Sequence, residues 1–243
     1  MRVLAVNLNT TRSMTEKIGV AARAAAAEGT EIVAVSPAMG PASIEGYYDE
    51  AFAVPGLIEE VRRGEESGCA AYVVACFDDT GVDAARCVAC GPVLGIAEAA
   101  MHVASMVAGS FSIVSTLDRS APALEHLVRK YGFERRCRRV RTAEVPVLAL
   151  EEPGSAALDR LRVEIAAAVA QDQCEAIVLG CAGMADLNAH LAAEFGLPVI
   201  DGVAAAVKLV EAVVGLGLGT SKALGYAAPL EKRYDGLMER FQP

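Results

Sequence analysis

The chain reads as an α/β protein of two pseudo-symmetric lobes, each a mainly parallel sheet flanked by helices, with a ligand cleft between them. Two observations carry that expectation. First, β-branched runs alternate with Ala-rich helical stretches, the signature of a parallel sheet covered on both faces. Second, the same order of segments is written twice: "CAAYVVAC" from Cys69 to Cys76 returns as "CEAIVLGC" from Cys174 to Cys181, with both cysteine pairs 105 residues apart. Downstream "GPVLGIAEAAMHVA" from Gly91 returns as "LPVIDGVAAAVKLV" from Leu197, and upstream "VLAVNLNTTRS" from Val3 is echoed by "FSIVSTLDRSA" from Phe111.

In chain order, "RVLAVN" predicts the first strand and residues 13–28 the first helix. "EIVAVS" is the second strand, 55–68 a helix opened by Pro55, "AYVVAC" the third strand, 79–90 a helix and "PVLGI" the fourth strand. The uncharged window from Ala99 to Leu117 is broken by His102, Ser105, Gly109 and Ser110, as a buried helix followed by a strand would be, and is not a membrane span. In the second half, "VPVLAL" at 145–150 predicts a strand and 156–172 a helix. The stretch after Val203 has no counterpart before residue 111, so its helix is expected to return to the first lobe. The expected division is 1–97 with 208–243 for the first lobe and 98–207 for the second. Open α/β sheets bind ligands at the carboxyl ends of their strands, here between the lobes.

A 53% apolar content over 243 residues fills a core without staples, and seven cysteines, an odd number, argue against a disulfide framework. A net charge of −9 argues against nucleic acid. The basic "RRCRRVR" at 135–141 reads as a solvated face or loop. "MRVLAVNLN" lacks the apolar core of a signal peptide, so a cytoplasmic protein with reduced thiols is expected, and several Ala-rich helices suggest a homo-oligomer. There is no GxGxxG after the first strand and no phosphate loop; "LGLGTSK" at 216–222 follows a helix. "CVAC" at Cys87 and Cys90 lacks a second half for a zinc site and reads as structural. His102, His126 and His190 lie on helices away from strand ends, so neither a metal nor a cofactor is expected.

Cys76 and Cys181 each close a buried strand shortly before a helix start, "CFDDTG" and "CAGMAD". A thiol there is expected to feel backbone N–H donors and a helix dipole that lower its pKa. Two lobes related by a pseudo-twofold axis aim such thiols at opposite faces of one substrate carbon. One thiolate takes a proton beside a carbonyl and the opposite thiol returns one on the other face, which inverts a stereocentre. Cys69 and Cys174 repeat too, but at strand starts, and read as core. Of Asp78 and Asp79, one is expected to cap a helix and hold the thiol loop, with acceptance of a ligand N–H as the alternative; Asp201 reads as structural.

"NLNTT", "CFDDTG", "PVLGIAEAA", "VLGCAGMADL" and "LPVIDGVAAAVKL" resemble the hydantoin racemase group of the aspartate/glutamate racemase superfamily along nearly the whole chain. The resemblance implies a two-lobed α/β fold and cofactor-independent racemisation by Cys76 and Cys181. Leu8 departs from the proline usual in the first turn. Amino-acid racemases of the superfamily carry Cys-Asn-Thr and Cys-Thr-His, whereas here Phe77 and Ala182 follow the cysteines, which favours a neutral cyclic ureide such as a 5-substituted hydantoin. Asn9, Ser43, Thr80, Ser115, Thr116 and the turn at Gly183 are expected to face its amide edges, and Phe77 and Met184 its side chain. Rival readings are allantoin racemisation, a one-cysteine decarboxylation or cis-trans isomerisation, and a non-catalytic thiol sensor using Cys87 and Cys90.

Overall fold

The computed structural model describes residues 1–152 and 155–243. The first sheet contains β1 (Arg2–Val6), β2 (Glu31–Val35), β3 (Ala71–Val74) and β4 (Val93–Gly95); the second contains β5 (Phe111–Ser115), β6 (Cys137–Thr142), β7 (Ala176–Leu179) and β8 (Val199–Ile200). Their orders, β2-β1-β3-β4 and β6-β5-β7-β8, are the same, and every pairing is parallel. The repeat in the sequence is therefore a repeat of topology. The central strands β3, β5 and β7 are buried along their whole length, which is why they read as unbroken apolar runs, the pattern of strands covered on both faces.

The crossovers run through α1 (Arg12–Ala25), α2 (Tyr47–Glu66), α3 (Val82–Val88), α5 (Ala121–Lys130), α6 (Ala157–Ala167) and α7 (Asn188–Phe195), while α4 (Ile96–Val107) and α8 (Gly202–Gly215) follow the last strand of each sheet. One core joins the lobes: Val3, Val73 and Ile96 of the first pack in the same cluster as Ile113, Val178 and Val203. Helix α8 packs on α1, α4 and β3, and the Glu211 carboxylate accepts from the Ala27 N–H at its far end. Beyond α8 the chain lies on the first lobe, where Thr220 N–H donates to Cys90 O and the Tyr226 hydroxyl to Asp83.

Three expected elements change. The second strand of the second sheet in chain order, at its edge, is Cys137–Thr142, the basic stretch, and not 145–150; Val147–Glu151 is a 3-10 turn. An edge strand tolerates charge because alternate side chains face water, and charge there discourages pairing with another chain. Arg138 and Arg139 are exposed. Arg141 turns inward: its Nε and Nη2 donate to the two carboxylate oxygens of Asp172 at 2.7 Å each, and Nη1 to Glu164 at 3.2 Å. Helix α2 begins at Tyr47, with Pro55 inside it. Helix α3 is shorter than expected because 79–81 forms a turn, with Asp79 at φ 48° and Gly81 at φ 75°. No helix among the described residues is long and apolar enough to cross a membrane.

Candidate functional site

Parallel strands deliver their following loops to one edge, so the turns after β1, β3, β5 and β7 meet where the lobes face each other. They form a small cavity, open to solvent, that is lined by both Cys76 and Cys181. Each cysteine lies two residues beyond a central strand, and each sulfur faces the backbone N–H two residues further on, that of Asp78 or of Gly183. The two thiol loops are thus built alike.

Their electrostatics differ from the sequence expectation. Burial, reinforced by the Asp78 charge, raises the Cys76 thiol well above its ordinary value; burial raises Cys181 to about 11 against the pull of the Gly183 N–H and of Lys17. The expected lowering fails because neither cysteine opens a long helix. α3 starts only at Val82, and a three-residue turn, Ala182–Met184, separates Cys181 from α7. A helix dipole fades within its first turn, whereas desolvation acts in full at a buried sulfur.

The two aspartates of this loop stand in different places. Asp79 caps α4 and not α3: Oδ1 accepts from Ala97 N–H at 3.0 Å, and Oδ2 from Glu98 N–H at 2.9 Å and from the Tyr131 hydroxyl at 2.8 Å. Gly95 makes this possible, since a Cβ there would stand 2.0 Å from Asp79 Oδ1. The cap of α8 is Asp201, which accepts from Val203 and Ala204 N–H. Asp78 lines the cavity, and burial with Glu50 nearby pushes its carboxyl up to about 7.

Asn9, Phe77, Ser115 and Thr116 also line the cavity. Asn9 is engaged in its own turn, where Oδ1 accepts from Thr11 N–H and from Asn7 Nδ2, both at 2.9 Å. The Ser115 hydroxyl donates to Gly180 O at 2.8 Å, which ties the ends of β5 and β7 together beneath Cys181. Four expected contacts stand outside the cavity wall: Ser43, Thr80, Gly183 and Met184. Met184 is fully buried in the second-lobe core, because the 3-10 turn rolls it inward onto Leu161 and Leu191. The Thr80 hydroxyl is buried without a hydrogen-bond partner, and Gly183 meets Cys181 from behind, where a Cβ would lie 3.6 Å from Sγ.

Leu8, Met14, Ile44 and Val147 supply an apolar wall that sequence reasoning missed. They come from a loop, a helix, an irregular segment and a 3-10 turn, so no periodicity groups them. The histidines are elsewhere: His102 Nδ1 bonds Glu98 O and its ring stands edge-on to Phe133, His126 is exposed, and His190 sits beside Glu194. Among the described residues, no group of three or more His, Cys, Asp or Glu could hold a metal ion, and all seven cysteines are free.

Residues 3–210 match the family described as Asp/Glu/Hydantoin racemase. A hydantoin racemase from Pseudomonas sp. (strain NS671) is 49% identical over 99% of this chain and 97% of its own, and one from Rhizobium meliloti is 50% identical over 97% and 98%. The solved allantoin racemase from Klebsiella pneumoniae superposes with a TM-score of 0.97 at 50% identity, covering 100% of this chain and 99% of that one. With the duplicated parallel sheets and a cysteine at the same strand end of each, these matches place the chain in the Asp/Glu/hydantoin racemase family.

Proposed function

We propose that the protein racemises 5-substituted hydantoins without a cofactor, with Cys76 and Cys181 as two bases on opposite faces of the ring carbon. The observation that carries this reading is the pair of like-built thiol loops opening on one cavity. In one direction a thiolate removes the C5 proton, and the electron pair of the broken C–H bond delocalises onto the adjacent carbonyl oxygen. The opposite thiol then delivers its own proton to the other face. One sulfur ends protonated and the other ionised, so the product enzyme form is the one competent for the reverse reaction. A thiol whose pKa is raised by burial is the stronger base once ionised, which suits a weakly acidic C–H.

In this reading Asp78 accepts a ring N–H, Thr116 and Asn9 face the remaining amide edge, and Phe77 excludes water. The ring substituent rests on Leu8, Met14, Ile44 and Val147, which favours an apolar group. Allantoin racemisation is the second reading; the match to the Klebsiella pneumoniae structure and the polar Asp78, Thr116 and Ser120 in the cavity favour it.

Loss of optical rotation across enantiopure 5-alkylhydantoins and allantoin ranks the substrates; faster turnover of allantoin would reverse the order of the two readings. The mechanism is tested with Cys76→Ser and Cys181→Ser, each expected to lose roughly 10²–10⁴-fold in racemisation. Each single variant is expected to exchange the C5 proton of only one enantiomer with D₂O, the two variants serving opposite hands. Equal exchange of both enantiomers by one variant would refute a two-sided site.

A further inference from the structure

The two thiol loops are alike in backbone but not in the charges around them. Lys17, on α1 of the first lobe, reaches across to the loop of the second: Nζ donates to Gly183 O at 3.2 Å and to Leu150 O at 3.4 Å. It also lies 3.3 Å from the Glu151 carboxylate and 3.5 Å from that of Asp186. The Lys17 side chain is only 22% exposed, so its ammonium has given up most of its water and is held by these four oxygens.

We propose that Lys17 is a positioning residue for Cys181: it clamps the Gly183 turn beneath the sulfur and makes Cys181, and not Cys76, the more readily ionised of the two thiols. The inference builds on the two-cysteine reading above. Gly183 connects the lysine to the thiol, because its carbonyl is bonded to Nζ while its N–H faces Cys181. The turn has little slack, since a Cβ at Gly183 would stand 3.1 Å from Leu150 Cδ1 and 3.6 Å from Cys181 Sγ. Movement of α1 against the second lobe therefore moves the donor of the Cys181 thiolate.

The charges are unequal in the same sense. Cys181 is faced by Lys17 from α1, by Asp78 from the loop after β3 and by Glu151 from the segment before α6, with Asp186 in its own turn beside the lysine. Cys76 is faced by Asp78, Glu50 and Cys181, all of which oppose a thiolate. The clamp thus gives Cys181 a positive charge that the groups facing Cys76 do not supply. It leaves the free enzyme poised for whichever enantiomer presents its proton to Cys181.

The test compares full-length wild type, Lys17→Met, Lys17→Gln and Lys17→Arg. Each cysteine is alkylated with iodoacetamide at fixed pH values from 7 to 10 and the modified peptides are quantified by mass spectrometry; below its midpoint a thiol reacts in proportion to its thiolate fraction, so a one-unit shift of the midpoint reads as an about ten-fold change in rate. In wild type the alkylation midpoint of Cys181 is expected below that of Cys76. Lys17→Met should raise the Cys181 midpoint by about one pH unit, the low end for loss of a nearby opposite charge because Glu151 and Asp186 partly neutralise the lysine. The Cys76 midpoint should stay in place and Lys17→Arg should restore the difference. In turnover, Lys17→Met is expected to lose about ten-fold in kcat at neutral pH, regained at higher pH, with KM unchanged within about two-fold.

An unmoved Cys181 midpoint in Lys17→Met, or equal movement of both cysteines, overturns the proposal. If Lys17→Met does not fold, Lys17→Gln, which removes the charge but keeps a donor, decides by the same criterion. If Cys181→Ser retains racemisation, the two-base reading falls, and the alkylation midpoints still report separately on what Lys17 does to the thiol.

Discussion

Replacing Asp79 isolates the contact that anchors the Cys76 loop. Its carboxylate binds two backbone N–H groups at the start of α4 and the Tyr131 hydroxyl, so Asp79→Ala removes a helix cap worth about 1 kcal/mol. Leaving the tyrosine and one amide unsatisfied adds about 1–3 kcal/mol. Asp79 also sits at φ 48°, a left-handed conformation that costs alanine about 1 kcal/mol more. The total expected for Asp79→Ala is about 3–5 kcal/mol. Asp79→Asn keeps one acceptor and tolerates the backbone, yet its amide must turn an N–H toward one of the donors, so about 1–3 kcal/mol is expected.

Urea unfolding followed by circular dichroism measures both variants. Racemisation measured well below the unfolding midpoint shows whether the Cys76 loop has moved. Burial also pushes Asp79 up to about 7 from an ordinary 3.8 against the pull of its three donors. The folded state then binds more protons than the unfolded state between those values, so this group makes wild-type stability fall as pH rises from about 4 to 7. Asp79→Ala removes that slope. Stability within about 0.5 kcal/mol of wild type, the level of an ordinary surface change, would refute the assignment of the loop anchor to this cap.

Two further perturbations probe the second lobe. Arg141→Met leaves the buried Asp172 without its guanidinium and is expected to cost about 3–5 kcal/mol. Arg141 holds Asp172 below its ordinary value of 3.8, so that stabilisation is full above 3.8 and lost as pH falls through the depressed value. Acid titration of stability should therefore show a steeper fall in wild type than in the variant. In Gly180→Ala the new Cβ would stand 2.6 Å from Ser115 Cβ and 2.9 Å from its Cα, which pushes the ends of β5 and β7 apart at about 1–3 kcal/mol. Because Cys181 is the next residue, kcat should fall about 100-fold, the scale of a 1 Å misplacement, in a protein whose melting curve remains cooperative; normal kcat would show that the strand end does not set the thiol.

Patterns local to a segment are legible in the sequence. The duplicated order of strands and helices follows from runs such as "AYVV" and "AIVL", because a strand covered on both faces must be apolar throughout. The two cysteines followed from their equal places in the repeat, and the capping role of Asp201 from its place just before a helix.

What depended on contacts distant in sequence was not readable. "RRCRRVR" forms β6 only because a neighbouring strand and the Asp172 carboxylate stand where Arg141 needs them, and no local pattern distinguishes such an edge strand from a loop. Asp79 caps a helix some eighteen residues onward, where sequence proximity pointed to α3. The apolar wall of Leu8, Ile44 and Val147 draws on three segments that meet only in the folded chain. The thiol pKa values turned on burial, which belongs to the assembled lobes. The repeated α/β architecture and the two thiols it presents are legible in the chain because both are written in short-range order. Tertiary structure alone decided the charges around each sulfur, because Lys17, Glu50 and Glu151 reach the thiols through space, where electrostatics depends on distance and desolvation and not on separation along the chain.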